Sequence, residues 1–249
     1  MIIALALTEV ERMYIASQSS VRNKLLLALE PQAFARLAPH LEAIRLPRLF
    51  EMSSPGKIAD YCYFLEEGIG SVVAEVKGGR RAEIGIFGRE GMSPTSLVLH
   101  APTTAYSTLM LITGHGYRIQ SIQLSHAMEE NFHLRSLLLR YSQTMAVQTS
   151  YTALSNATDN IEQRLARWLL MCHDRSDGST ITLTHAFLSV VLAVRRQSIT
   201  TALHVLEGRH LILSERNQIK VQDRQGLEDF ASGAYGPAED EYRRLIGFF

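Results

Sequence analysis

The residues with the most chemistry to offer stand close together in LSVVLAVRRQSITTALHVLEGRHLI, positions 188 to 212. Ile199, Ala202, Leu203 and Leu206 fall at i, i+3, i+4 and i+7, the spacing of one apolar helix face. That leaves Arg196, Gln197, Thr200, Thr201 and His204 on the other face, with Arg195 at the helix start. Arginine can bond guanine O6 and N7 with two parallel donors. Glutamine can do the same to adenine N6 and N7, and threonine offers a hydroxyl and a methyl. These are base-reading chemistries, collected on the outward side of one helix. Downstream, LILSERNQIKVQD predicts two short strands around a polar turn at Glu215–Gln218, which sets Arg216 and Lys220 to meet phosphates.

Elements must hold that face in place. TLTHAFLSVVL predicts a short helix capped by Thr184 and ending near Leu192. A tight connection at Ala193–Arg195 leads to the second helix, which runs to about Glu207: the length and spacing of a helix-turn-helix followed by a wing. The bland alternative is an αα-hairpin whose exposed face happens to be polar. Upstream, IEQRLARWLLMCHDR predicts a helix over 161–175, with a hinge at 155–160. Residues 124 to about 155 lack Gly and Pro, which predicts one long helix. Its seam of Leu134, Leu138, Tyr141 and Met145, turning polar at Gln148 and Thr152, suits a partner helix; burial against the helix's own domain is the alternative. From about 44 to 119 the runs YCYFL, GSVVAEV, RAEIGIF and STLMLIT, parted by SSPGK, EEGIG and KGGRR, predict a small antiparallel roll. Two short helices precede it, the second opened by Pro31.

Composition narrows the function. The chain has 249 residues, 46% hydrophobic and 20% charged, with zero formal net charge. Binding to nucleic acid by a bulk positive field is therefore excluded, and a local patch is required. Residues 185–224 supply one: Arg195, Arg196, Arg209, Arg216, Lys220 and Arg224 face only Glu207, Glu215 and Asp223. The apolar runs are shorter than the roughly 20 residues of a membrane span, and no secretory leader is evident, so a cytoplasmic protein without membrane contact is expected. Two cysteines in no ligand spacing, Cys62 and Cys172, support neither zinc nor an iron-sulfur cluster. His126 and His133 are seven apart, about 10 Å along a helix, too far to share one ion. No metal or cofactor is expected. A Gly-rich phosphate loop opening a helix, a GxSxG elbow and an HExxH helix are all missing from the sequence, so an enzyme is not expected.

The layout of residues 23–230, with YFLEEGIGSVV and GREGM in the roll and IEQRLARWLL, LTHAFLSVVLAVRRQSI and LIL…QIKVQD after it, resembles the Crp/Fnr family of bacterial transcription regulators. The resemblance implies an α+β protein. An N-terminal antiparallel β-roll of double-stranded β-helix or jelly-roll type (sensor domain, 23–123, after an extension 1–22) leads to a long dimerisation helix and hinge (124–158). A C-terminal winged helix-turn-helix (159–249) follows. It implies a homodimer reading an inverted repeat in double-stranded DNA, with RNA polymerase as a further partner. By position Arg196, Gln197 and Thr201 match the family's base-contacting residues, usually Arg, Glu and Arg, and Arg195 replaces the usual Ser or Thr cap. Ala193 stands where a turn glycine is common. Cyclic-nucleotide binders of the family hold the ribose and phosphate with Gly-Glu and Arg-Ser pairs; here those places hold Pro94, Thr95, Thr103 and Thr104. Proline lacks an amide donor and threonine carries no charge, so neither cyclic AMP nor cyclic GMP is the expected effector, whose identity stays open. The alternative is a regulator that binds an effector or protein without reading specific DNA.

Overall fold

The computed structural model describes residues 16–183 and 185–247. Helix α1 (Lys24–Leu27) starts at Asn23, whose Oδ1 accepts from the Leu25 and Leu26 amides, and α2 (Pro31–Leu37) carries Pro31 in its first turn. Six antiparallel strands follow: β1 (Glu42–Leu46), β2 (Glu51–Ser53), β3 (Tyr61–Glu75), β4 (Arg81–Phe87), β5 (Met92–Ser93) and β6 (Ser107–Gln120). Their order is β1-β6-β3-β4, with β2 on β6 and β5 on β3. The expected α+β roll is present, but two of its strands are longer than the sequence pattern implied. YCYFL and GSVVAEV are one 15-residue strand, because EEGIG bends the chain without reversing it. Gly68 there has φ +88°, and a Cβ on it would lie 2.7 Å from the Ile112 carbonyl oxygen, so the register slips and the strand continues.

The predicted single long helix is two. Helix α3 (Ser121–Glu130) ends at Asn131, whose extended backbone (φ −129°, ψ 105°) interrupts the spiral and whose Oδ1 caps the Leu134 amide at 2.8 Å to start α4 (Phe132–Thr158). A capping asparagine thus breaks a stretch free of Gly and Pro. After a break at Asp159–Asn160 comes α5 (Ile161–Arg175), opened by a reciprocal Asn160–Gln163 capping box. Strand β7 (Thr180–Thr182), α6 (His185–Val191), α7 (Arg196–Gly208), β8 (Ile212–Glu215), β9 (Gln218–Val221), α8 (Arg224–Phe230) and α9 (Pro237–Leu245) complete the order. Strands β7, β9 and β8 make a small sheet in that order, and β7 was not foreseen.

The α4 seam faces this chain, not a partner. Leu134, Leu138 and Tyr141 are each 1% exposed and share a core with α1, α2, the roll residues Cys62 and Phe64, and Tyr242 of α9. Gln148 is buried with its Oε1 on the Ile86 amide of β4 at 2.7 Å, while Met145 and Thr152 are half-buried. Assigning Leu134, Leu138, Tyr141 and Gln148 to a dimer interface is therefore corrected: periodicity showed a buried stripe but not what buries it. A second core joins Ile69, Ile86 and Leu111 of the roll to Leu165, Leu169, Leu188, Leu203 and Leu206 of the helices beyond residue 160. The two halves are packed together.

Candidate nucleic-acid interface and effector cavity

Helix α7 buries the face its spacing predicted: Ile199, Ala202 and Leu206 are 0% exposed and Leu203 1%. Four apolar side chains anchored in this way fix the rotation of the helix, so the opposite face is set by geometry alone. Arg195, Arg196, Gln197, Thr201 and His204 lie exposed there and Thr200 is half-buried. The Thr200 and Thr201 hydroxyls donate to the carbonyls of Arg196 (3.3 Å) and Gln197 (3.2 Å), which leaves their lone pairs outward as acceptors. Arg195 is the N-cap residue, with extended backbone (φ −68°, ψ 145°) and no side-chain cap. The turn before it puts Ala193 at φ +52°, a conformation that an alanine adopts at a cost of about 1 kcal/mol. Thr184 lies outside the described residues.

The wing is a tight hairpin in which Glu215 pairs with Gln218 across Arg216 and Asn217, the latter at φ +62°. Asparagine tolerates that left-handed turn. Arg216 and Lys220 are exposed, Lys220 on the central strand β9. The Leu183 amide donates to the Asn217 carbonyl at 2.9 Å, which holds the wing turn beside the chain entering α6.

In the roll the four effector positions have separate fates. Pro94 starts the short 3-10 turn Thr95–Leu99, and Thr95 lines a cavity. Thr103 is exposed and bridges to Ile58, and Thr104 is buried as a bridge to Pro55, with its hydroxyl accepting from the Tyr106 amide at 3.3 Å. The cavity measures about 320 Å³. Its apolar wall comes from Val72, Ile84, Phe87, Met92, Leu99, Tyr106 and Met145. Ser93, Thr95, Ser142 and Thr149 add hydroxyls, and no charged side chain lines it. Ser142, Met145, Ala146 and Thr149 belong to α4, so whatever fills the cavity touches that helix. In GREGM, Gly91 serves packing: a Cβ there would collide with the Tyr141 hydroxyl of α4. Among the described residues no group of three or more His, Cys, Asp or Glu is placed to hold a metal, and no helix is long and apolar enough to cross a membrane.

Sequence reasoning missed the buried polar groups between the halves. Glu83 of β4 accepts from Trp168 Nε1 of α5 at 2.6 Å and from the Ser71 hydroxyl. Burial pushes its carboxyl up to about 7, against the opposing pull of those two hydrogen bonds and of Arg175 and Arg167. Glu90 accepts from Arg175 Nε of α5 at 2.7 Å and from the Gly88 amide; the two side chains are 5% and 2% exposed. The one available signal was a carboxylate at the middle of the apolar strand RAEIGIF.

Residues 163–230 match the Crp-like helix-turn-helix domain. No curated protein matches the chain in sequence. Among solved structures, the chain is similar to FixK2 from Bradyrhizobium japonicum (TM-score 0.65, 16% identity, covering 76% of this chain and 96% of that one). It is also similar to TTHB099, a CRP-family transcriptional regulator from Thermus thermophilus (0.63, 20%, 78% and 98%). A third likeness is to the c-di-GMP-responsive global regulator CLP of Xanthomonas campestris (0.58, 17%, 77% and 99%). At these identities the likeness is one of fold: antiparallel roll, long helix, then helix-turn-helix.

Proposed function

We propose that this chain, a Crp-like helix-turn-helix domain carried on the fold of the Crp/Fnr-type regulators, is a cytoplasmic transcriptional regulator, not an enzyme, that reads DNA as a homodimer. The observation that carries this reading is the exposed face of α7, where Arg196, Gln197 and Thr201 stand on a helix anchored by four buried apolar residues. Arg196 and Gln197 read base edges in the major groove; Arg195, Arg216 and Lys220 hold phosphates. A module that only bound protein would not require bidentate donors at these places, which favours DNA over the protein-binding alternative.

With the seam at Leu134 covered by the chain itself, the dimer forms on the other side of α4. Leu139, Gln143, Ala146, Ser150, Ala153 and Ala157 recur at spacings of four and three and are all exposed, a stripe suited to close approach of a second α4. A symmetric dimer reads an inverted repeat with half-sites about one helical turn, ~34 Å, apart, and presents RNA polymerase with a fixed surface. The effector is an uncharged, largely apolar small molecule in the 320 Å³ cavity. A cyclic nucleotide, or the c-di-GMP to which the Xanthomonas regulator responds, carries phosphates that this lining leaves without a cation.

Binding-site selection with the purified chain tests the central reading: a symmetric site is the expected product, and recovery of no preferred sequence refutes it. Calorimetry with cyclic AMP and cyclic GMP tests the effector reading, and saturable binding below about 10 μM, roughly 7 kcal/mol, would refute that part alone.

A further inference from the structure

Helix α9 lies beyond the matched helix-turn-helix segment, yet it belongs to the core of the other half of the molecule. Ala238, Glu239 and Tyr242 are buried and Ile246 packs on the same core, while Asp240, Arg243 and Arg244 stay exposed. Its apolar side is laid along α4, and the Tyr242 hydroxyl donates to the Glu90 carbonyl at 2.8 Å. Glu90 is also the residue that Arg175 grips from α5. Residues 234 and 235, just before α9, are tied to α5 as well: Arg167 Nε donates to the Ala234 carbonyl at 2.9 Å, and the Tyr235 hydroxyl donates to Asp174 at 2.7 Å. The chain therefore leaves the DNA-reading half, crosses α5 and inserts into the sensor half, with Glu90 receiving a bond from both.

This arrangement decides where the helix-turn-helix can go. In such motifs the helix preceding the recognition helix crosses the DNA backbone. Here that helix, α6, sits against β4 of the roll, and the Arg48 guanidinium lies 5.2 Å from the centre of the Phe187 ring. Roll surface thus covers one side of α6. Lifting the motif off the roll requires parting Arg175 from Glu90, Trp168 from Glu83, and α9 from α4.

We propose that α9 is an autoinhibitory strap: seated on α4 through Tyr242, it holds the helix-turn-helix against the roll in a form of low DNA affinity, and its release frees the motif. The proposal rests on the DNA-reading role argued above.

Trp168 is the sole tryptophan, 4% exposed at the junction of the halves, so its fluorescence reports docking directly. In the full-length Tyr242→Ala chain, emission should shift to the red, and affinity for the selected DNA site, with no effector added, should rise about tenfold. Tyr242→Phe, which keeps the ring and loses the bond to the Glu90 carbonyl, should move both in the same direction by less. A Tyr242→Ala chain with unchanged circular dichroism and either wild-type emission or wild-type DNA affinity overturns the proposal. Should that variant fail to fold, hydrogen exchange on the wild-type chain decides: amides of 238–246 should lose protection at saturating DNA, and unchanged protection refutes the strap. If the wild-type chain selects no DNA site at all, the regulator reading fails separately, and the emission of Tyr242→Phe alone decides whether α9 holds the halves together.

Discussion

The two halves use their polar side chains in opposite ways. On α7, Arg196, Gln197 and Thr201 are exposed and the fold makes no use of their outer ends. In the roll and on the α4 face against it, Glu83, Glu90, Thr104 and Gln148 are buried, each bonded to another residue of the same chain. Composition does not distinguish these sets, but partners do. Polar groups left exposed are open to a partner outside the chain, and those bonded within it can be altered only at the expense of the fold. Substitutions in the first set should change DNA binding and spare stability; those in the second should do the reverse.

The most severe test is Arg175→Met, which leaves the Glu90 carboxylate buried without its cation. A loss of about 3 to 5 kcal/mol in chemical denaturation is expected. A loss below about 1 kcal/mol would mean that solvent reaches the pair. Glu83 is held by neutral donors and should behave differently from Glu90. Its native carboxyl titrates near 7 against an unfolded value of 4.5, so between those limits the folded chain keeps a proton that the unfolded chain has shed. Stability should therefore fall as pH rises from about 4.5 to 7, by at most about 3 kcal/mol, and level off above. Glu83→Gln keeps an acceptor for Trp168 and a donor for Ser71, and denaturation from pH 5 to 8 should show that part of the slope gone. An unaltered slope assigns it to other groups.

On the α7 side the expected effects are smaller and of the other kind. Arg196→Ala should weaken the selected site by about 1 to 3 kcal/mol and relax preference at one base pair, with the melting temperature unmoved. Arg195→Ala should weaken all sequences alike and reduce the salt dependence by about one phosphate contact per subunit. A melting temperature that falls with either would place these arginines in the buried, structural class. The smallest effect expected is at the turn: Ala193→Gly relieves φ +52° and should stabilise the chain by up to about 1 kcal/mol in thermal melts, without change in DNA affinity. Destabilisation instead would show that the loss of the alanine methyl outweighs the relief.

The same division explains what could be read from the sequence. Helices α5 and α7 were legible because a period near 3.6 acts locally, and the exposed face of α7 followed from its buried one. The α4 seam was legible as a stripe, but whether α9 or a second chain covers Leu138 depends on contacts about a hundred residues away, which no local period carries. Asn131 ends one helix by its extended backbone and opens the next by a side-chain bond to Leu134, in a stretch free of Gly and Pro. Gly68 looked like a reversal because glycine marks turns and bulges alike, and its partner Ile112 decides between them. The Glu83 and Glu90 contacts were illegible for the same reason: both partners, Trp168 and Arg175, stand 85 positions further along the chain.

The reach of Tyr242 and Ile246 into the core around Leu134 and Tyr141 also bears on how the molecule is born. A ribosome emits the roll and α4 long before it emits α9, so the first half stands with part of its apolar floor uncovered while about a hundred further residues are made. Residues 161–230 close their helix and strand pairings within about sixty positions, so that segment needs no later residue for them. Each newly made chain thus passes through an interval in which the core around Leu134 and Tyr141 lacks Tyr242 and Ile246, and that interval closes only when α9 has emerged.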